Sequence, residues 1–490
     1  MTNGIQPQLV TRKSRIPRFT SSHRHYWWWT ALGTVATLLM VSTGAHIGTL
    51  PVPDTDFWWR GFGGLTYAES HTCFYAGIGL LTLAWWALRP GETPTPLRRL
   101  VTTWSLWSAP LWLGVPLASR DVYSYVAVGR LAEHGSNPYV TSAFVGLSGD
   151  ALASVAFIWR GTITPYGPFF VGLCHLATAL TGASEGAVVL NVRAIELIGV
   201  LLLALGFSLL ARSTSLRTDW AWWLALLGPA PMVAYASSGH NDALMLGLLV
   251  CGCAFVQRRR LLIGTALFAL AACVKLSAML AIVALGWMVV RRRDIRMVRD
   301  LAAIGVVVVA TVAAVTWVVG DGLGWLSWRA LHIPVLIHTE ITPVTNVAHL
   351  LRQLLAWCGL PLEFYRVLRI VNDLALLIEI VVLLWLTRGV NATNWRTRLG
   401  LALLVVVFLG PTVWPWYFLW GISVLATTTA VRRTTFAVLC AVTAVLVGPG
   451  GTMMIGGNGF LVTAPLLLWG LWHLVAHGHI ADCLNWRDDD

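Results

Sequence analysis

Leu117-Ala118-Ser119-Arg120-Asp121-Val122-Tyr123-Ser124-Tyr125-Val126-Ala127-Val128-Gly129-Arg130-Leu131-Ala132-Glu133-His134-Gly135-Ser136-Asn137-Pro138-Tyr139 is the stretch on which the reading of this chain turns. It begins where the apolar run from Val101 to Ala118 ends. An Arg-Asp pair sits at that exit, followed by two tyrosines and an Asn-Pro-Tyr turn. A carboxylate placed at the mouth of an apolar helix is costly, and such groups mark functional sites.

The surroundings make the cost real. Of 490 residues, 57% are hydrophobic and 11% charged, with a mean hydropathy of +0.70. Soluble proteins carry about 25% charged residues. An all-α polytopic membrane protein is expected, in place of the several soluble domains that length alone would imply. The formal net charge of +12 is scattered between apolar runs, so no nucleic-acid partner is expected. Six of the eight cysteines lie in apolar runs and none form a C-x-x-C pair, which argues against a disulfide scaffold or a zinc site. Many of the 27 tryptophans, including Trp27 to Trp29, Trp58, Trp59, Trp414 and Trp416, lie near helix ends, as aromatic belts do.

Apolar runs place helices near 27–49, 69–88, 100–118, 186–211, 220–237, 241–257, 261–274, 276–290, 299–319, 366–387, 398–413, 415–430, 434–448 and 460–477. The loops 89–99, 211–219, 257–260, 291–299, 388–398 and 431–433, with the N-terminal tail, hold 23 of the 34 lysines and arginines. With the N-terminus inside, all of these are cytoplasmic, and both termini face the cytoplasm. The loops Leu50–Ala68, Ser119–Pro165, Gly320–Tyr365 and Pro449–Gly459 then face outward. Counting segment 166–182 as a full span would reverse the later loops. It reads instead as a short or re-entrant helix, with a missed break in 186–211 as the rival explanation. The expectation is about 13 to 15 transmembrane or re-entrant helices with two large extracytoplasmic loops. A cytoplasmic basic tail occupies 1–26 and N-terminal transmembrane helices 27–99. A catalytic transmembrane module spans 100–320 and includes outer loop 119–165. A second outer loop covers 321–365, and a C-terminal transmembrane bundle with a short cytoplasmic tail covers 366–490.

The charges that cytoplasmic loops do not explain are the informative ones. Asp121 reads either as a helix-end residue paired to Arg120 or Arg130, or as a general base taking a proton from a hydroxyl. Lys275 is one of only two lysines, with Lys13. It either snorkels or holds an anion such as a phosphate. Asn241 and Asp242 could cap helix 241–257, which leaves His240 unexplained; His240 could donate to a phosphate oxygen. Tyr166 lies in the rigid turn Thr162–Pro168. Asn346 and His349 fall in the second outer loop. Trp414, Trp416 and Tyr417 are belt aromatics or a platform for a sugar ring or isoprenoid chain. Arg193 with Glu196, and Arg369 with Asp373, have the spacing of self-paired structural ions; Glu379 has no local basic partner. A base, a buried cation and aromatic platforms on one outer face point to transfer of a polar group from a lipid phosphate. No Walker A, G-x-G-x-x-G, H-E-x-x-H or G-x-S-x-G pattern competes. A transporter or flippase of lipid-linked saccharides is the alternative from another class.

S-R-D-V-Y-S-Y (119–125), G-S-N-P-Y (135–139), T-P-Y-G-P (164–168), G-H-N-D-A-L-M-L-G-L (239–248), V-K-L-S-A (274–278), N-V-A-H (346–349) and W-P-W-Y (414–417) occur in this order. The set resembles the GT-C superfamily of polyprenyl-phosphate-sugar-dependent glycosyltransferases. More closely, it resembles the α-(1→6)-mannopyranosyltransferases of mycobacteria and corynebacteria that build the mannan core of lipomannan and lipoarabinomannan. The wording is nearer to the core-extending, A-type enzyme than to the initiating one. The resemblance implies a GT-C fold in the plasma membrane, with its active site outside the cell. It implies a polyprenyl-phosphomannose donor and a lipid-anchored α-mannan acceptor, in contact with membrane lipids and needing neither cofactor nor metal. It makes Asp121 the base and Lys275 the donor-phosphate ligand, with His240 and Arg120 as weaker candidates. Tyr123, Tyr125, Asn137, Tyr139, Tyr166, Asn241, Asp242, Asn346, His349, Trp414, Trp416 and Tyr417 are the expected substrate contacts. Relatives that start the mannan core, form α-(1→2) linkages or transfer arabinofuranose share the pattern, and linkage depends on how the acceptor lies against the base.

Overall fold

The computed structural model describes residues 23–49, 61, 63–181, 184–339, 341–428, 433–446 and 448. The expected helix 460–477, loop 449–459, most of loop 50–68 and nearly all of the basic tail lie outside these residues. Among the described residues all regular structure is helical.

The helices Glu185–Ala211 and Met297–Val319 are long and apolar enough to cross a membrane. At 1.5 Å per residue the first is about 40 Å long, against a hydrocarbon core of about 30 Å. Glu185–Ala211 is continuous, so the break considered within 186–211 is absent. Segment 166–182 holds the helix Pro168–Ala179, about 18 Å long and too short to span alone.

The single helix expected over 220–237 is not observed. Helix Thr218–Ala225 stops, a short turn Pro229–Pro231 restarts the chain, and Met232–Ser237 winds as a π-helix. Pro229 and Pro231 lack amide protons, so a regular ladder cannot run through them. Pro229–Ser237 then meets Asp242–Gln257 at a bend of 114°. Gly239 makes this corner at φ +67°, a conformation that favours glycine. His240, Asn241 and Asp242 sit at the apex. Helix Asp242–Gln257 packs along Glu185–Ala211 through small residues: a Cβ on Gly199 would lie 2.3 Å from the Leu244 amide nitrogen, and one on Gly247 would lie 2.3 Å from the Gly199 carbonyl oxygen. Such close backbone approach is the usual way membrane helices gain contact.

The two large regions expected as outer loops, 119–165 and 320–365, are largely helical among the described residues. Helix Asp121–Glu133 begins at the candidate base itself, after helix Leu97–Leu113 has ended and 114–120 runs without helix. Helices Trp328–Leu336 and Pro343–Trp357 fill the second loop. Pro343–Trp357 packs against Phe364–Arg388 in a cluster of its own around Val344, Ala348, Val367, Leu368, Val371 and Ala375.

Most of the remaining helices share one core, while Ala127, Leu131, Ala143, Leu147 and Val155 form a small cluster of their own. The N-terminal helix Tyr67–Ala87 is joined to Thr218–Ala225 by Trp85 and Trp223, stacked at 4.4 Å, each indole N–H donating to the other's carbonyl at 2.7 Å. Two expected ion pairs do not form. Arg193 does not pair with Glu196; it is fully buried and donates to the carbonyls of Leu111, Gly114 and Ala236. Those carbonyls lie at helix ends that need donors, whereas Glu196 turns to the Leu244 amide. Arg369 and Asp373 lie exposed on the helix Phe364–Arg388 and make no ion pair with each other either.

Candidate active site

Asp121 occupies the first position of helix Asp121–Glu133, where the amide ends of the helix favour negative charge. It is 8% exposed. Its partners are neither Arg120 nor Arg130. The Trp159 indole donates to Oδ1 at 2.9 Å, and His240 Nδ1 lies 3.3 Å from Oδ2, out of hydrogen-bond alignment. Arg130 pairs with Glu133 and Glu185. Arg120 donates to the Ser154 carbonyl and lies over the Tyr123 ring.

His240 is held by aromatic stacking. Its ring lies on Trp416 at 3.7 Å and 19°. Trp416 stacks on Trp414 at 5.1 Å, and Trp414 leads back to Trp159 at 6.3 Å. Asp121, Trp159, Trp414, Trp416 and His240 therefore form a closed ring of contacts, drawn from four separate parts of the sequence. The rings are apolar bodies with polar edges, suited to the face of a sugar or to an isoprenoid chain.

A second cluster begins two residues from His240. Asp242, fully buried, accepts from Lys275 Nζ at 2.9 Å and from the Trp420 indole. The ammonium lies 4.4 Å from the Tyr417 ring centroid and 5.0 Å from that of Trp420. Lys275 is thus neither snorkelling nor free: a buried carboxylate balances it and two rings flank it. Neither Asn241 nor Asp242 caps helix Asp242–Gln257, which corrects the capping reading. The Asn241 side chain is fully buried with no hydrogen-bond partner for either polar atom, as are both His240 ring nitrogens. Unpaired buried donors are costly, so this corner is built to meet a polar group.

The other motifs fold onto the same place. Gly167 N–H donates to the Val274 carbonyl, so the Tyr166 turn docks directly beside Lys275. Tyr166 and Tyr125 meet edge to face at 5.4 Å, and both meet Phe170. The Tyr139 hydroxyl donates to the Tyr166 carbonyl, and Asn137 joins the Tyr139 amide to the Asp321 carbonyl. Asn137, Tyr139 and Tyr123 spend these polar atoms on the scaffold, Tyr123 donating to the Thr49 carbonyl. Asn346 and His349 stand apart. Both lie on Pro343–Trp357, with His349 exposed and stacked on Phe364 at 4.1 Å. At the start of that helix the Val413 amide donates to Thr342, beside Trp414.

Two residues of the site escaped the sequence reading. Trp159 sits in an apolar stretch with no motif around it. Trp420 lies one helical turn past Trp416, a spacing that could have flagged it.

A family model described as Alpha-(1->6)-mannopyranosyltransferase, N-terminal domain, matches residues 30–291, and one described as MptB C-terminal domain matches residues 344–476. The chain is 32% identical to Alpha-(1->6)-mannopyranosyltransferase A of Mycobacterium tuberculosis, over 83% of this chain and 81% of that protein. It is 30% identical to a probable alpha-(1->6)-mannopyranosyltransferase of Mycolicibacterium smegmatis, over 80% of this chain and 78% of that one. With Alpha-(1->6)-mannopyranosyltransferase B of Corynebacterium glutamicum it shares 27% identity over 86% of this chain and 74% of the relative. No solved structure matches. Both matched models and the relatives lead to one assignment: the chain belongs to the alpha-(1->6)-mannopyranosyltransferase family.

Proposed function

We propose that the chain transfers one mannose from polyprenyl-phosphomannose to the 6-hydroxyl of a growing, lipid-anchored α-(1→6)-mannan at the outer face of the plasma membrane. The observation that carries this reading is the Asp121 carboxylate. It is buried, oriented by the Trp159 N–H, and walled by aromatic rings near a half-buried ammonium that pairs with Asp242.

The acceptor hydroxyl gives its proton to Asp121 as its oxygen attacks C1 of the donor mannose. The bond from C1 to the phosphate oxygen breaks on the opposite face, so a β-linked donor yields an α-linked product. The leaving polyprenyl phosphate carries the electron pair away as an anion and needs charge stabilisation rather than an acid. Lys275 spends one ammonium proton on Asp242, which leaves two for a phosphate. His240 and Asn241, the two residues before Asp242 in the chain, carry further unpaired donors. In this scheme no metal or cofactor is required.

The test is transfer from radiolabelled polyprenyl-phosphomannose to a short α-(1→6)-mannoside, comparing wild type with Asp121→Asn. A folded variant that binds donor but loses transfer supports the reading. Wild-type turnover in the variant removes Asp121 from the mechanism. A wild type that moves no mannose from this donor to any acceptor ends the donor assignment.

A further inference from the structure

We infer that Arg193 is a positioning residue for the transfer, one that sets the separation of Asp121 from His240 without touching substrate. The inference rests on the reading of Asp121 as the base.

Arg193 projects from helix Glu185–Ala211 and is fully buried. One guanidinium nitrogen, Nη1, donates to the Gly114 carbonyl at 2.7 Å. The other, Nη2, donates to the carbonyls of Leu111 at 2.5 Å and Ala236 at 2.6 Å. Leu111 and Gly114 mark the end of helix Leu97–Leu113, where carbonyls lack intrahelical donors. Ala236 belongs to the π-helical turn Met232–Ser237. From Gly114 the chain runs without helix into Asp121. From Ala236 it turns at Gly239 into His240. The two arms of the candidate site therefore leave from a single planar cation.

Two further contacts tie the same arms. The Leu117 amide donates to Ser237 Oγ at 3.2 Å. Gly239 passes so close that a Cβ there would lie 2.9 Å from Arg193 Cγ. The chemistry fits a clamp. A buried guanidinium with no carboxylate partner is expensive, yet its flat fork reaches carbonyls in several directions at fixed angles. An ammonium at the same place is a point charge on a flexible stem and cannot hold both arms in one geometry. A shift of about 1 Å between reacting groups can cost about a hundredfold in rate. The 3.3 Å approach of His240 to Asp121 depends on this clamp.

The experiment compares Arg193→Lys, Arg193→Gln and Ser237→Ala in the full chain. Turnover is measured with polyprenyl-phosphomannose and the mannoside acceptor, and normalised to donor-binding sites. Arg193→Lys is expected to lower kcat by about 10- to 100-fold while the donor KM stays within about twofold. Arg193→Gln falls further, and Ser237→Ala loses about two- to tenfold. A folded Arg193→Lys with wild-type kcat per binding site overturns the inference, as does a change confined to donor KM. If neither Arg193 variant folds, Ser237→Ala decides, and wild-type kcat there is the overturning result. The Asp121→Asn variant in the same assay separates the two readings. An inactive Asp121→Asn beside fully active Arg193→Lys and Ser237→Ala defeats only the clamp. A fully active Asp121→Asn defeats the base assignment itself.

Discussion

Trp159 donates its indole N–H to Asp121 Oδ1 at 2.9 Å, and on the proposed reading of Asp121 as the base this bond leaves the other carboxylate oxygen to take the proton. Oδ2 remains, facing His240. Trp159→Phe keeps a ring against Trp414 but removes the donor. A hydrogen bond to a charged group is worth about 1.5–3 kcal/mol. Turnover is therefore expected to fall by about 10- to 100-fold with donor binding little changed. Unchanged kcat in steady-state assays would mean that Trp159 only fills space.

His240 stacks on Trp416, and an aromatic replacement can keep that contact. His240→Phe should therefore fold with a melting temperature near wild type and lose transfer by at least about tenfold, in the range ascribed to positioned polar groups. A variant that transfers normally would make His240 a packing residue.

Lys275 and Asp242 test an ion pair whose carboxylate is fully buried and whose ammonium is half-buried. Removing one partner of such a pair costs about 3–5 kcal/mol, because the other charge stays buried. Lys275→Met alone should destabilise strongly in thermal unfolding. Lys275→Met with Asp242→Asn should recover much of that loss while leaving donor binding weak. Restored donor affinity in the double variant would show that the ammonium serves the scaffold and not the phosphate.

Gly199 tests the helix contact behind the site. Gly199→Ala places a methyl group against the Leu244 backbone, which cannot yield as a side chain could. Overpacking of this kind costs about 1–3 kcal/mol. The expected readout is a lower melting temperature with near-normal kcat in the molecules that remain folded.

His349 should matter least. It is exposed on a helix that packs into a separate cluster, stacked on Phe364. Surface substitutions usually stay within about 0.5 kcal/mol, so His349→Ala is expected within about twofold of wild-type turnover. A severe loss would bring helix Pro343–Trp357 into the reaction.

Composition and hydrophobic runs were enough to establish an all-helical membrane chain, because a low-dielectric surround tolerates few unpaired backbone groups and few charges. For the same reason the charges that remain were conspicuous: Asp121, His240, Asp242 and Lys275 were all legible as residues of interest. Spacing along the chain could not pair them. Arg193 and Glu196, one turn apart, looked like partners, yet the guanidinium serves carbonyls from two other segments. Asn241 and Asp242 looked like caps, yet Asp242 turns to Lys275. Local pattern ranks near neighbours, whereas in a packed core a side chain pairs with whichever groups the fold brings within its reach, whatever their distance in sequence. Trp159 had no local signature at all, since a tryptophan in an apolar run reads as packing. Its role appears only when the segment Phe157–Arg160 folds over the start of helix Asp121–Glu133. The sequence by itself determined which side chains were too costly to be idle in a membrane. Only the tertiary structure decided their partners, because those partners come from distant segments brought together by the 114° corner and by close helix packing.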